Sequence, residues 1–217
     1  FTAMLGIAII AGPTADVSAN AGNKPYNIEN VSPDAHLAPS VGDSSSKTSS
    51  KAWHKIDGVC YNGGGKKVEG AITRGMDVSE WQGKINWKEA KKDLDFAFVR
   101  ISYGTRHLDD YYDYNMTEAE AADVPVGTYV YSLAKTNKEA LAEAQLAIRQ
   151  MQGHKVSYPV AFDLEDEATL GTLTRKEISQ IALTFCDEIR KAGYTPILYM
   201  NLNWYNNFVD WNVLEGS

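Results

Sequence analysis

The sequence predicts an α/β fold in which a parallel sheet is covered by helices and closes in the manner of a barrel. Three observations carry this. From Arg74 onward, short β-rich runs alternate with helical runs. The strand at Phe96-Ala97-Phe98-Val99 is apolar on both faces, as a strand buried on both sides must be. Acids and aromatics gather at the C-terminal end of each strand, where barrels assemble their chemistry from several strands at once. The periodicity alone fits a doubly wound sheet equally well; the strand ends favour the barrel.

The first strand is expected over 74–78, ending on Asp77, and a short helix follows over 86–93. There Asn86 acts as cap and Trp87 as apolar anchor. The second strand covers 95–102, and a helix covers 112–123. The third strand, 126–132, ends in Tyr129-Val130-Tyr131-Ser132. The helix at 136–152 sets Ala140, Ala144, Ala147 and Ile148 along one side with Leu141 beside them, and Thr136 before Glu139 has capping-box spacing. The fourth strand covers 158–165. A helix over 173–192 then opens with the same spacing, Thr174 before Glu177, and closes at Gly193. The fifth strand covers 195–200.

The first third of the chain differs in kind. Of the 217 residues, 1–72 hold 6 basic and 6 acidic side chains, net zero, whereas 73–217 hold 15 and 22, net −7, which is the whole chain's charge. An acidic folded part argues against a nucleic-acid partner, which calls for a basic stripe. Residues 1–21 read as the remnant of a secretory signal peptide: an apolar run at 4–11, too short to span a bilayer, then Ala19-Asn20-Ala21. Residues 22–52 have almost no large apolar side chains and end Ser-rich, as a disordered linker does. Residues 53–72 form a lead-in or short hairpin around Gly63-Gly64-Gly65, a run that lacks phosphate-loop spacing. Residues 73–217 are left for the catalytic part. Cys60 and Cys186 occur in unlike contexts and are read as unpaired thiols. The four histidines, scattered without ligand spacing, suggest no metal centre.

The sharpest site candidate is Asp163-Leu164-Glu165. Residues two apart on a strand share a face, so Asp163 and Glu165 point one way with Ala161, and Val160, Phe162 and Leu164 point toward the helices. Two carboxylates so placed repel when both are ionised. One is then held protonated and able to act as a general acid. The alternative is a strand running out into an acidic loop, since Asp166 and Glu167 follow. Asp77 has a structural alternative too, as a cap of the turn at Ser79. Trp81 and the strand-end tyrosines could serve as platforms for sugar rings or simply as packing.

Gly75-Met76-Asp77-Val78-Ser79-Glu80-Trp81-Gln82-Gly83 with Ile85-Asn86-Trp87 resembles the opening of glycoside hydrolase family 25, the lysozyme-type muramidases. Phe96-Ala97-Phe98-Val99-Arg100, Val126-Gly127-Thr128-Tyr129-Val130-Tyr131-Ser132, Pro159-Val160-Ala161-Phe162-Asp163-Leu164-Glu165 and Pro196-Ile197-Leu198-Tyr199 with Trp204 resemble its later units in order. The resemblance implies a flattened TIM-like β/α barrel that cleaves the β-1,4 bond between N-acetylmuramic acid and N-acetylglucosamine in peptidoglycan. It implies Glu165 as general acid and Asp163 as a group that orients or stabilises the substrate acetamido group, or acts as base. Asp77 would line the same pocket, and Tyr129, Tyr131, Tyr199 and Trp81 are candidate sugar contacts. It implies no metal. The chain is further read as needing no cofactor, as having no stable membrane span, as a monomer and, from the signal remnant, as secreted or in the cell wall. The family continues into further strands, one with another active-site Asp, so an incomplete barrel of low stability and weak activity is expected of these 217 residues. A non-catalytic peptidoglycan-binding barrel, or an inactive fragment, is the rival reading.

Overall fold

The computed structural model describes residues 54–62, 65–71 and 73–215; the expected signal remnant and linker, and Gly63 and Gly64, lie outside them. The chain divides into two compact units. One runs to Asp77 and includes Lys92–Phe96, and the other comprises Val78–Lys91 and the chain from Ala97 onward.

In the first unit, β1 (His54–Ile56) and β2 (Val59–Tyr61) form an antiparallel hairpin. Asp57 and Gly58 turn it, both with positive φ (48° and 79°), the conformation that matches the twist of paired strands. A short hairpin is thus present in the expected lead-in, and beyond β2 the chain folds back again, with Tyr61 bridged antiparallel to Lys67 and Val68 N–H donating to Cys60 O (2.9 Å). β3 (Gly75–Val78) begins in this unit. Just before it, Arg74 donates its backbone N–H to Asp95 Oδ2 (2.7 Å), and Asp95 N–H donates back to Arg74 O (2.7 Å).

The second unit is built on parallel strands. β4 (Phe96–Tyr103), β6 (Val126–Tyr131), β7 (Val160–Asp163) and β8 (Pro196–Tyr199) pair in succession, and β5 (His107–Leu108) lies antiparallel on β4. The sheet order is β3-β4-β6-β7-β8. The fold is α/β with a mostly parallel sheet, and among the described residues the sheet stays open between β3 and β8.

The helices are α1 (Trp87–Ala90), α2 (Tyr112–Ala121), α3 (Asn137–Met151), α4 (Glu167–Leu170), α5 (Arg175–Lys191), α6 (Leu202–Asn207) and α7 (Trp211–Leu214). The helix expected over 86–93 is a single turn. Asn86 caps it, accepting from Glu89 N–H, and Trp87 is buried with Nε1 donating to Asn115 Oδ1 (3.1 Å). On α3 the buried stripe is Ala140, Ala144, Ala147 and Met151, while Leu141 and Ile148 are half-buried. Only half of the expected capping box forms there. Thr136 accepts from Glu139 N–H, but Glu139 Oε2 accepts from Lys135 N–H, one residue before the cap. α5 has the full box with Thr174 and Glu177. It ends as a Schellman motif: Gly193, at φ 89°, donates to Arg190 O (3.0 Å) and Tyr194 to Ile189 O (3.2 Å).

One face of the sheet packs on α3 and α5. Phe162 stacks on Phe185 with centroids 4.0 Å apart, and Thr128 Oγ1 donates to Met151 Sδ. Strand alternation and register then send Phe98, Arg100, Tyr129, Tyr131, Ala161 and Asp163 to the opposite face. Cys60 and Cys186 are both free thiols and both buried.

Candidate active site

The register aligns the last residues of four strands in one row: Tyr103 opposite Tyr131, Tyr131 opposite Asp163, and Asp163 opposite Tyr199. Register partners in a parallel sheet share a face, and the row lies on the face turned away from α3 and α5. Tyr103 reaches it through an irregularity. Arg100 pairs with Tyr129 and Ser102 with Val130, so Ile101 is an extra residue, a β-bulge. Without it, alternation would put Tyr103 on the helix side. With it, the Tyr103 and Tyr131 rings stack at 4.9 Å and 17°.

Asp163 is fully buried at the end of β7. Glu165 stands just past the strand, which ends at Asp163 and not at 165 as expected. It is nonetheless held from both sides. Leu164 N–H donates to Tyr199 O (2.9 Å), extending the pairing with β8, and Asp166 caps α4 by accepting from Thr169 N–H (2.8 Å). Glu165 is half-buried, and Asn201 Nδ2 donates to its Oε2 (3.3 Å). Burial pushes the Glu165 carboxyl above its ordinary range, and the Asn201 bond pulls part of the way back. The expected direction is therefore present, but its leading cause is burial rather than repulsion from Asp163.

Asp166 does more than cap. Its Oδ2 accepts from Tyr103 Oη (3.2 Å) and from Tyr131 Oη (3.4 Å), so one carboxylate joins the ends of β4 and β6 to the start of α4. Burial raises the Tyr131 hydroxyl, and the charges of Asp166, Asp163 and Glu165 add to this; Tyr103 is raised by burial and by Asp166. Both phenols thus stay protonated and donate. Tyr129 lies two residues before Tyr131 on the same face and is buried, while Tyr199 is half-buried at the end of β8.

Trp81 stands 71% exposed on a 3-10 turn, Glu80–Gln82, capped by Ser79 in a capping box with Gln82. Ser79 therefore caps this turn, the role offered to Asp77 as its structural alternative. That turn is pinned to β4 by buried charge. Arg100 bonds Asp109 Oδ2 through Nε and lies 2.9 Å from Glu80 Oε1 through Nη2. Asp109 Oδ2 also accepts from Glu80 N–H, and His107 Nε2 meets Glu80. For Glu80, burial raises the pKa, but the His107 bond and the Arg100 charge outweigh it and hold the carboxyl low. Asp77 falls in the first unit, on β3.

Asp163, Glu165, Tyr131 and Tyr199 are thus brought to one row of strand ends, with Tyr129 one layer deeper. The residues that sequence reasoning did not assign to the site are Tyr103, Asp166 and Asn201. Each sits at a strand end or in the loop after one, which was the available signal. Among the described residues, no group of three or more His, Cys, Asp or Glu side chains is placed to hold a metal ion, and no helix is long and apolar enough to cross a membrane.

A parallel α/β sheet with carboxyl groups and aromatic rings at its C-terminal strand ends defines the class of α/β proteins whose site is built at the strand mouths. Within that class the chain belongs to glycosyl hydrolases family 25, whose sequence model matches residues 76–215. It is 26% identical over 139 residues to the uncharacterized protein YegX of Escherichia coli K12, covering 61% of this chain and 49% of that one. It is 38% identical over 60 residues to Lysozyme M1 of Streptomyces globisporus, covering 27% and 20%. Among solved structures it resembles the modular autolysin LytC of Streptococcus pneumoniae, determined with a synthetic peptidoglycan ligand. The TM-score is 0.62 and the identity 22%, over 71% of this chain and 39% of that one, a likeness of fold. The chain spans about half the length of the YegX relatives it matches.

Proposed function

We propose that this chain hydrolyses peptidoglycan at the β-1,4 bond between N-acetylmuramic acid and N-acetylglucosamine, with Glu165 as general acid. The observation that carries the reading is the Glu165 carboxyl, pushed up by burial at the end of β7 beside the fully buried Asp163. A carboxyl whose protonated form is favoured by burial can give its proton to a leaving glycosidic oxygen. Family membership and the lysozyme and autolysin names of its relatives support the substrate class.

In this mechanism the sugar bond lies across the row of strand ends. Glu165 protonates the leaving oxygen, and Asp163 orients the substrate's 2-acetamido group so that it stabilises the developing positive charge. Asp77 is assigned to the same pocket, holding substrate or tuning Glu165. Tyr129, Tyr131, Tyr199 and Trp81 supply rings for the apolar faces of sugars. The catalytic part is assigned to residues 73–217, acting as a monomer on an exported chain.

Reducing-sugar release from purified peptidoglycan tests the assignment. Glu165→Gln keeps shape and loses the proton, and should lower release at least about 100-fold. Equal release by both proteins would remove Glu165 from the mechanism, and tight binding by wild type with no release would favour a binding module. A substrate whose acetamido group is replaced by hydroxyl and is cut equally fast would exclude substrate assistance.

A further inference from the structure

Asn201 has two bonds that together fix the direction of its side chain. Its Oδ1 accepts Trp204 N–H (3.1 Å) as the cap of α6. An amide whose oxygen is committed to a backbone donor must turn its Nδ2 the other way, and that nitrogen meets Glu165 Oε2. The cap therefore decides which way the amide faces, so no flip can exchange donor for acceptor. Trp204 is buried and stacks on Phe208 at 4.4 Å, which holds the first turn of α6 in place.

Both oxygens of a protonated carboxyl keep lone pairs, but the carbonyl oxygen is the stronger acceptor, so an N–H bonded to Oε2 favours the proton on Oε1. We propose that Asn201 is a positioning residue that occupies Oε2 of Glu165 and so confines the acid proton to Oε1. The proposal rests on the reading of Glu165 as the general acid and adds the side from which it donates. The general acid would then present one defined oxygen to the leaving group, without rotation of the carboxyl before each turnover. The other titratable groups about Glu165 are Asp163 and Asp166 on its own segment and, from β6, Tyr131, whose hydroxyl is perturbed by the Glu165 charge.

Asn201→Ser and Asn201→Asp test this in the full chain. Both residues remain good caps for α6, so the fold should survive, and thermal melting checks it. Ser is too short to reach Glu165; Asp reaches it but brings a negative charge in place of a donor. Glu165 is followed by carbon-13 NMR of the glutamate side-chain carboxyls, assigned with Glu165→Gln. Its titration midpoint should shift upward in Asn201→Ser and further upward in Asn201→Asp. In the peptidoglycan assay, the alkaline limb of the kcat profile should move in the same order while KM changes little. A Glu165 midpoint unchanged in both variants overturns the proposal. The general-acid reading fails separately, if Glu165→Gln retains wild-type release while the midpoints still move.

Discussion

Asp166 shows how much a single side chain can hold at this site. Its two oxygens serve different masters, Oδ1 the first turn of α4 and Oδ2 the stacked Tyr103 and Tyr131. Asp166→Ala removes cap and acceptor together and should cost about 1–2 kcal/mol in urea unfolding, the usual range for a lost cap. Asp166→Asn keeps an oxygen for Thr169 N–H and should stay within a few tenths of a kcal/mol of wild type. An equal loss in both would mean that the cap contributes little. Asp163 and Glu165 are picked out in sequence because an alternating apolar run leads into two acids, although the strand itself stops at Asp163. Asp166 is not, since an acid following that pair looks like the start of a solvated loop. Only the register that brings Tyr103 and Tyr131 level with Asp163 gives it a second task. Asn201 was hidden for a similar reason: a cap is visible in sequence, but the direction of its unused nitrogen is not.

The elements themselves were the most readable part of the chain. The five expected strands lie within about two residues of their expected bounds at every end, because each is a short apolar run set between turn signals. The short elements were less so. β5, α4, α6 and α7 are two to six residues long and owe their existence to tertiary partners rather than to periodicity. Gly127 illustrates a constraint that pattern cannot reveal. A Cβ built there would stand 2.6 Å from the backbone oxygen of Pro159 and 2.7 Å from the Phe98 ring. A ring can move; a backbone oxygen beside β7 cannot do so without disturbing the strand that carries Asp163. Gly127→Ala should therefore destabilise the protein by about 1–3 kcal/mol, as overpacking does. An unchanged midpoint in chemical denaturation would show that the sheet yields at that point.

At the scale of the whole molecule, Glu143 is a buried polar group outside the row of strand ends whose titration bears on stability. It lies on the buried face of α3, 2% exposed, where the alanine stripe predicts an apolar position. Its oxygens receive Leu133 N–H (3.0 Å) and Ser132 Oγ (2.8 Å), so it secures the segment directly after Tyr131. Burial pushes its carboxyl up to about 7, against the pull of those two bonds, from an ordinary value of 4.5. The folded state thus binds this proton more tightly than the unfolded chain does. Stability should fall as pH rises from about 4.5 to about 7, by at most about 3 kcal/mol, and level off above. Glu143→Gln should flatten that slope in melting curves recorded across the same interval; an unaltered slope would place its origin elsewhere. The open sheet order β3-β4-β6-β7-β8 agrees with the parallel α/β fold expected from sequence, whereas the position of the bulge at Ile101 could not be read from it. An interrupted strand has the same composition as a regular one. The bulge changes the parity of the chain: before it, even-numbered residues of β4 face the site, and after it, odd-numbered ones do. A graft or comparison that pairs β4 with another strand by a fixed two-residue count will match Phe98 and Arg100 correctly, then send Tyr103 to the wrong side of the sheet.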